Sequence, residues 1–195
     1  MIDLDNAMSP QIVLLIGKPG SGKGTQAQLL SARTGWKTIS SGDVFRAIMQ
    51  EDTVVGRRTR ETIEKGLLMP PWFASYLFQK SIFGVPDGEG VIFDGFGRKV
   101  VEAEQVLEIL NWLGRPFRAI HIKVSDEDVI DRLTKRREVS GRADDHAIET
   151  RLEEYRLHTE PSVEVFRAGG VLTEIDGSAT PEEIAAVVAE TLGLA

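Results

Sequence analysis

The sequence contains no cysteine, and this absence excludes disulfide bonds and cysteine-ligated zinc sites. Its three histidines are scattered without a shared motif, so each is expected to be a surface or packing residue. No apolar run approaches the roughly 20 residues of a membrane-spanning helix. Residues 1–9 carry acidic side chains where a secretory signal would carry lysines. We therefore expect a soluble cytoplasmic protein whose divalent metal, if it uses one, arrives with a bound ligand.

Basic residues are fewer than acidic residues. The 23 lysines and arginines are outnumbered by 30 acidic residues, giving a formal net charge of −7, which argues against general nucleic-acid binding. Arginines nevertheless cluster twice, within residues 57–60 and 132–151. Local basic character in an acidic chain suits a small, highly charged ligand. The length of 195 residues fits one domain with a substantial core.

One stretch near the N-terminus predicts a phosphate-binding turn. An unbroken apolar run from Ile12 to Ile16 is typical of a strand buried on both faces of a parallel sheet. A glycine-rich turn follows, and a helix predicted over residues 25–33 would direct its N-terminus at the same place. Backbone N–H groups, one lysine and one hydroxyl then surround a phosphate; the residues concerned are Gly20, Ser21, Gly22, Lys23, Gly24 and Thr25.

This turn departs from the general phosphate-loop pattern, because Gly24 stands where a serine or threonine usually follows the lysine. Gly-Lys-Gly-Thr after Pro-Gly-x resembles the adenylate kinase and nucleoside monophosphate kinase family. Strands that alternate with helices predict a three-layer α/β fold with a parallel sheet. The resemblance implies a P-loop NTPase fold with five strands in the order 2-3-1-4-5, flanked by helices.

The resemblance also implies one kinase domain over residues 1–195. Its core would comprise residues 11–39, 70–132 and 146–195, with an acceptor-binding insert at 40–69, a short lid at 133–145 and a leader at 1–10. An ordinary helical hairpin with Gly66 as a C-cap is the alternative for the insert. Residues 70–80 predict a further helix, in which Trp72, Phe73, Leu77 and Phe78 are expected in the core.

Two further motifs resemble the acceptor site of the family. Residues 39–46 match its Ser-Thr-Gly-Asp-hydrophobic-hydrophobic-Arg segment with Ser41 in the threonine position, which implies that Arg46 holds the acceptor monophosphate. Residues 94–98 match Asp-Gly-Phe-Pro-Arg, which implies that Asp94 lies near the metal and its waters and that Arg98 binds acceptor phosphate. The resemblance likewise places Gly95 and Leu68 at the acceptor, Leu68 within a stretch that lines its base.

Two residues in this region depart from the family pattern. Gly97 replaces the family proline and is expected to make the turn more flexible. Glu102 falls where adenylate kinases usually have a glutamine that contacts N1 and N6 of adenine. A carboxylate only accepts hydrogen bonds, so it would leave N1 without a donor, whereas guanine offers donors at N1 and N2. Alternatively, Glu102 interacts with the helix dipole and turns to solvent.

The C-terminal half resembles the short-lid form of the family, through Ser-Gly-Arg-x-Asp-Asp followed by Arg-Leu-x-x-Tyr. That match implies that Arg132 and Arg136 face transferred phosphates and that Arg142 and Arg151 complete the clamp. Arg137 is expected to be an exposed salt-bridging residue, and Asp144 and Asp145 either pair with arginines or cap the next helix. The loop at Gly177 resembles the one whose backbone meets the donor adenine. Pro161 is expected to interrupt a long helix.

These motifs together imply a monomeric enzyme that converts ATP and AMP reversibly into two ADP, with Mg²⁺ bound through the nucleotide and waters near Thr25 and Asp94. The catalytic residues implied are Lys23, Arg98, Arg132, Arg142 and Arg151, and no side-chain general base is required. A different acceptor, such as GMP or a deoxynucleotide, is the main alternative because of Glu102. A nucleotide-binding protein without transfer activity is the second alternative.

Overall fold

The computed structural model describes residues 11–140 and 147–194, and their side chains except those of 137–140. Arg142, Asp144, Asp145 and His146 lie outside the described residues, as does the side chain of Arg137. Strands and helices alternate along the chain, and their bounds are β1 Ile12–Gly17, α1 Lys23–Thr34, β2 Lys37–Ser40, α2 Ser41–Ile48, α3 Val54–Glu64, α4 Pro71–Phe83, β3 Val91–Asp94, α5 Val100–Trp112, β4 Phe117–Lys123, α6 Asp126–Ser140, α7 Ile148–Glu154, a π-helical turn Tyr155–Thr159, α8 Glu160–Ala168, β5 Leu172–Asp176 and α9 Pro181–Thr191.

The five strands form a parallel sheet in the order β2-β3-β1-β4-β5, which confirms the predicted α/β fold. β1 lies at the centre, where Leu15 is in register with Asp94 of β3. Because alternate residues of a strand point to opposite faces, Leu14 joins an apolar cluster on one face and Val13 and Leu15 join another on the opposite face. Helices cover both faces, so the strand is buried and its sequence is continuously apolar.

Helix starts follow the capping signals in the sequence. The hydroxyl of Thr180 accepts from the Glu183 backbone N–H, and the Glu183 side chain accepts from the Thr180 N–H, which together form a capping box at the start of α9. Ser40 and Ser125 each accept a backbone N–H three residues further on. These caps fix where α2, α6 and α9 leave the sheet. No helix of the described ranges is long and apolar enough to cross a membrane.

Two expectations need correction. Trp72 is 72% exposed and is not part of the core, although Phe73, Leu77 and Phe78 are buried as expected. Pro161 does not break the helical path: the Glu160 N–H reaches the Tyr155 carbonyl, five residues back, and the chain continues as α8. Proline has no N–H to donate, and the π-helical turn before it continues directly into α8.

Candidate active site

The turn between β1 and α1 presents an anion-binding helix start. Gly20 and Gly22 have φ values of +80° and +97°, which L side chains rarely adopt. A Cβ on Gly20 would also lie 2.9 Å from Cγ of Leu133. α1 begins at Lys23 with neither a side-chain cap nor an acidic residue in its first turn. Its first N–H groups are therefore available to a phosphate.

Lys23 lies at the floor of this turn. Its ammonium donates to the carbonyls of Gly17 at 2.8 Å and Lys18 at 2.6 Å, and to the Ser21 hydroxyl at 3.3 Å. Burial lowers the pKa of Lys23 from 10.5 to about 7, and the Asp94 carboxylate opposes this change. Nearby arginines lower the pKa further. A bound polyanion would reverse that balance and favour the charged lysine.

Asp94 ends β3 beside the start of α1. A Cβ on Gly24 would lie 3.9 Å from Oδ2 of Asp94, so the small residue at this position accompanies a close approach of helix and carboxylate. Oδ1 of Asp94 is buried and has no hydrogen-bond partner in the described part of the chain. Asp94 and Thr25 line the same cavity as the phosphate-binding turn, and their oxygen atoms are of the type that Mg²⁺ prefers as ligands. Within the described ranges no group of three or more His, Asp or Glu side chains could hold a metal ion.

A cavity of about 700 Å³ extends from this turn along the carboxyl ends of β1 and β3. Five arginines from separate parts of the fold reach it: α2, the loop after β3, α6 and α7 contribute Arg46, Arg98, Arg132, Arg136 and Arg151. The structure thus brings together Lys23, Asp94 and every predicted phosphate-facing arginine except Arg142, which lies outside the described residues. These positive charges are concentrated in one cavity of an otherwise acidic protein.

One wall of the cavity is held by the Gly95 carbonyl, which accepts from the Ser41 hydroxyl at 2.8 Å and from Nε of Arg98 at 2.7 Å. Gly95 has φ +77°, and a Cβ there would lie 2.4 Å from Nη2 of Arg98. Glycine is therefore required for the guanidinium to lie across the turn. On α2, which also carries Ser41, Arg46 forms an ion pair with Asp43 at 2.5 Å.

The backbone conformation of the loop after β3 accounts for the glycine at position 97. Its φ is +70°, and a Cβ would lie 2.9 Å from Cζ of the fully buried Phe166. Proline, whose ring fixes φ near −65°, cannot adopt this conformation. Gly97 is therefore required by the path of this loop, beyond the flexibility expected from the sequence.

Glu102 is 5% exposed, so the expectation that it might turn to solvent is wrong. Its Oε2 accepts from the backbone N–H of Arg98 at 2.9 Å, and the side chain lines the cavity. Burial raises the pKa of Glu102, and the Arg98 N–H, which stabilises the carboxylate, opposes this rise. The Glu102 side chain thus binds the backbone just before α5 and also lines the cavity.

The segment at 66–69 is tied to α7. Gly66 follows Lys65, the C-cap of α3, and donates its N–H to the Ile63 carbonyl; a Cβ on Gly66 would lie 2.7 Å from the Ala147 side chain. The Leu68 N–H donates to Oε2 of Glu154 at 2.9 Å, and both residues line the cavity. Sequence reasoning missed Glu154, because it occupies an unspecified position within the Arg-Leu-x-x-Tyr motif.

The loop after β5 packs on β4 and binds a side chain of α6. The Gly177 carbonyl accepts from Nη2 of Arg132 at 2.9 Å, and Ala179 of the same loop and Pro181 at the start of α9 line the cavity. A Cβ on Gly177 would lie 2.6 Å from Cγ2 of Ile122, so the loop packs closely on β4. Gly177 therefore holds Arg132 in place.

His121 is a buried packing residue, as expected. Its ring nitrogens lie 2.8 Å from the Tyr155 hydroxyl and 3.1 Å from Oε1 of Glu174. Burial lowers the pKa of His121, and the hydrogen bond to Glu174 opposes this change. This network joins β4 and β5 to the π-helical turn that follows Arg151 and Glu154.

Comparisons with known proteins agree on one family. Residues 15–171 match the family model described as "Adenylate kinase". The adenylate kinase of Thermus thermophilus is 37% identical over 187 residues, covering 94% of this chain and 98% of the relative. That of Porphyromonas gingivalis is 38% identical over 180 residues, covering 91% and 93%. That of Maricaulis maris is 36% identical over 183 residues, covering 92% and 97%.

Proposed function

Because the chain belongs to the adenylate kinase family, and is therefore a phosphotransferase acting between nucleotides, we propose that it transfers the terminal phosphoryl group of ATP to AMP. The reaction is reversible and gives two ADP. The relatives described above carry the name adenylate kinase, which supports AMP as the acceptor.

The observation that carries this proposal is the cavity in which Lys23 and five arginines converge. Phosphoryl transfer spreads negative charge over the transferred oxygens, and an enzyme contributes mainly alignment and charge stabilisation. We assign the phosphates of ATP to Lys23 and the α1 N-terminus. Arg132 and Arg136 on α6 then face the transferred group.

The acceptor phosphate is assigned to the opposite wall of the cavity. Arg98, fixed to the Gly95 carbonyl, and Arg46 would hold it, while Arg151 together with Arg142 completes the clamp. No side chain needs to act as general base, because positioned guanidinium groups stabilise the charge that develops in the transition state. Leu68 and Glu102 lie where the acceptor base would contact the wall.

Adenylate kinases generally use Mg²⁺, and Asp94 and Thr25 would hold it together with waters and the nucleotide. When bound, the ion neutralises charge on the phosphates. We further propose that residues 40–69 and 133–145 close over the two nucleotides and exclude water, which would otherwise hydrolyse ATP.

A coupled assay with ATP, Mg²⁺ and a panel of monophosphates tests the proposal, and AMP should be the best acceptor. Lys23→Met should lower the transfer rate by at least about 10³-fold, since the charge it provides acts in the transition state. Lys37→Met, at an exposed lysine on β2, serves as the matched control and should keep wild-type activity.

Two outcomes would contradict the proposal. AMP turnover at background level with brisk GMP or deoxynucleotide turnover would favour the alternative acceptor, which Glu102 supports because a carboxylate accepts from both guanine N1 and N2. Tight ATP binding without turnover of any acceptor would indicate a nucleotide-binding protein without transfer activity.

A further inference from the structure

The two carboxyl oxygens of Glu102 are in different situations. Oε2 accepts the Arg98 backbone N–H at 2.9 Å, so it is committed to the loop before α5. No described residue donates a well-aligned hydrogen bond to Oε1, although the Lys99 N–H, the weakest of the groups that act on Glu102, also stabilises the carboxylate. The side chain is 5% exposed and lines the cavity. One oxygen, Oε1, is thus available to a base bound in the cavity.

No cation in the described ranges pairs with this carboxyl. The guanidinium of Arg98 turns instead to the Gly95 carbonyl at 2.7 Å and towards the Ser41 hydroxyl at 3.5 Å. On the α4 side, the residues that share a small cavity with Glu102 are uncharged: Ala74, Ser75 and Phe78. A buried carboxylate without a cation is costly, so this environment favours the neutral acid.

The charged groups near Glu102 do not reverse its preference for the neutral form. Arg98 and Lys99 stabilise the carboxylate from the preceding loop, but burial has the largest effect and raises the pKa of Glu102. A base stacked in the cavity would remove further water from the carboxyl and strengthen the same preference.

The neutral acid has the donor that the carboxylate lacks. Adenine presents an acceptor at N1, which a carboxylate would repel and a carboxylic acid would satisfy. We infer that Glu102 contacts the acceptor adenine as a neutral carboxylic acid, with Oε1 donating to N1 and Oε2 accepting from Arg98, so that AMP binding takes up a proton. This inference rests on the proposed function, since it assumes that the acceptor site takes AMP.

The same oxygen makes the opposite contact with a 6-oxopurine such as IMP, whose N1 carries a hydrogen. The carboxylate form of Glu102 accepts from that N1–H, whereas the protonated form opposes it with a second hydrogen. As pH rises through the pKa of Glu102, KM for AMP should increase by up to about tenfold per pH unit. KM for IMP should change in the opposite direction.

Titration calorimetry of the full chain with AMP, in buffers of low and high ionisation enthalpy, measures the proton uptake directly. The wild type should take up more protons than Glu102→Gln, whose amide oxygen still accepts from Arg98 and whose amide nitrogen donates to N1 without titrating. Glu104→Gln, at an exposed position on the same helix, should match the wild type. All three proteins contain Lys23 and all three are titrated with AMP. Protons taken up by Lys23 or by the AMP phosphate therefore contribute equally and cancel in the comparison.

The kinetic arm uses the ratio of kcat/KM for AMP to that for IMP across the pH range. It should fall with rising pH in the wild type and in Glu104→Gln, and stay high and flat in Glu102→Gln. Equal proton uptake by wild type and Glu102→Gln, or parallel pH profiles, would overturn the inference while AMP turnover upheld the proposed function. If AMP were not turned over at any pH, the proposed function would fail and the inference with it.

Discussion

Replacing Gly97 by alanine should destabilise the protein through two separable effects. Holding a non-glycine residue at φ +70° costs roughly 1–2 kcal/mol. The new Cβ would lie 2.9 Å from Cζ of Phe166, which is fully buried and has little room to move, and overpacking of this kind costs about 1–3 kcal/mol. Alanine also lowers the conformational entropy of the unfolded chain, and this effect offsets about 0.4–1 kcal/mol of the loss. The net loss in the free energy of unfolding should be roughly 1–5 kcal/mol, or about 2–20 °C in Tm.

Gly114→Ala is the matched control for the backbone effect. Gly114 has a similar φ of +63°, but a Cβ there would meet nothing within 4 Å. The free energies of unfolding of the two variants, measured in urea, should therefore differ by about 1–3 kcal/mol, which is the cost of the close contact with Phe166. Combining Gly97→Ala with Phe166→Leu should recover part of that difference. Equal free energies of unfolding for the two alanine variants would refute the steric part of this reasoning.

Three further predictions concern buried or exposed side chains. Because burial raises the pKa of Glu102 above the ordinary 4.5, the unfolded chain releases its proton first and the wild type loses stability as pH rises through this interval. Thermal unfolding should show Glu102→Gln with the higher Tm near neutral pH and no such advantage in acid. Tyr155→Phe removes the hydroxyl that lies 2.8 Å from Nε2 of the buried His121, so the free energy of unfolding in urea should fall by about 1–3 kcal/mol. Trp72→Ala, at an exposed position, should change that quantity by less than about 0.5 kcal/mol, whereas Phe73→Ala, in the core, should lower it by about 3–5 kcal/mol.

Much of the fold follows from local features of the sequence. The apolar run at β1, the caps at Ser125 and Thr180 and the glycine turn before Lys23 each encode structure within a few residues. Trp72 was misassigned because spacing alone does not set the width of the buried stripe of α4. Tyr76, one turn further along the helix, is also exposed, so the buried stripe is narrower than its apolar sequence suggests.

The site was predictable where residue types recur in a motif, and less so where burial decides. Resemblance to a family selected Lys23, Asp94 and Arg98, which lie together in the cavity. It gave no sign that Lys23 has a pKa near 7, because that value depends on how deeply the ammonium is enclosed. Glu154 also escaped notice, since its contact with the Leu68 N–H joins residues 86 positions apart.

Gly97 in the loop before α5 and Glu102 in the first turn of α5 both depart from the family pattern, but they act on different properties. Gly97 sets the backbone path, since neither proline nor alanine fits its φ without strain. Glu102 accepts a hydrogen bond from the Arg98 backbone N–H, and a glutamine would accept the same hydrogen bond through its amide oxygen. Restoring the family glutamine should therefore leave the loop in place and change the charge beside the acceptor base. Restoring the family proline would move the loop itself, and with it the Arg98 guanidinium that the Gly95 carbonyl holds.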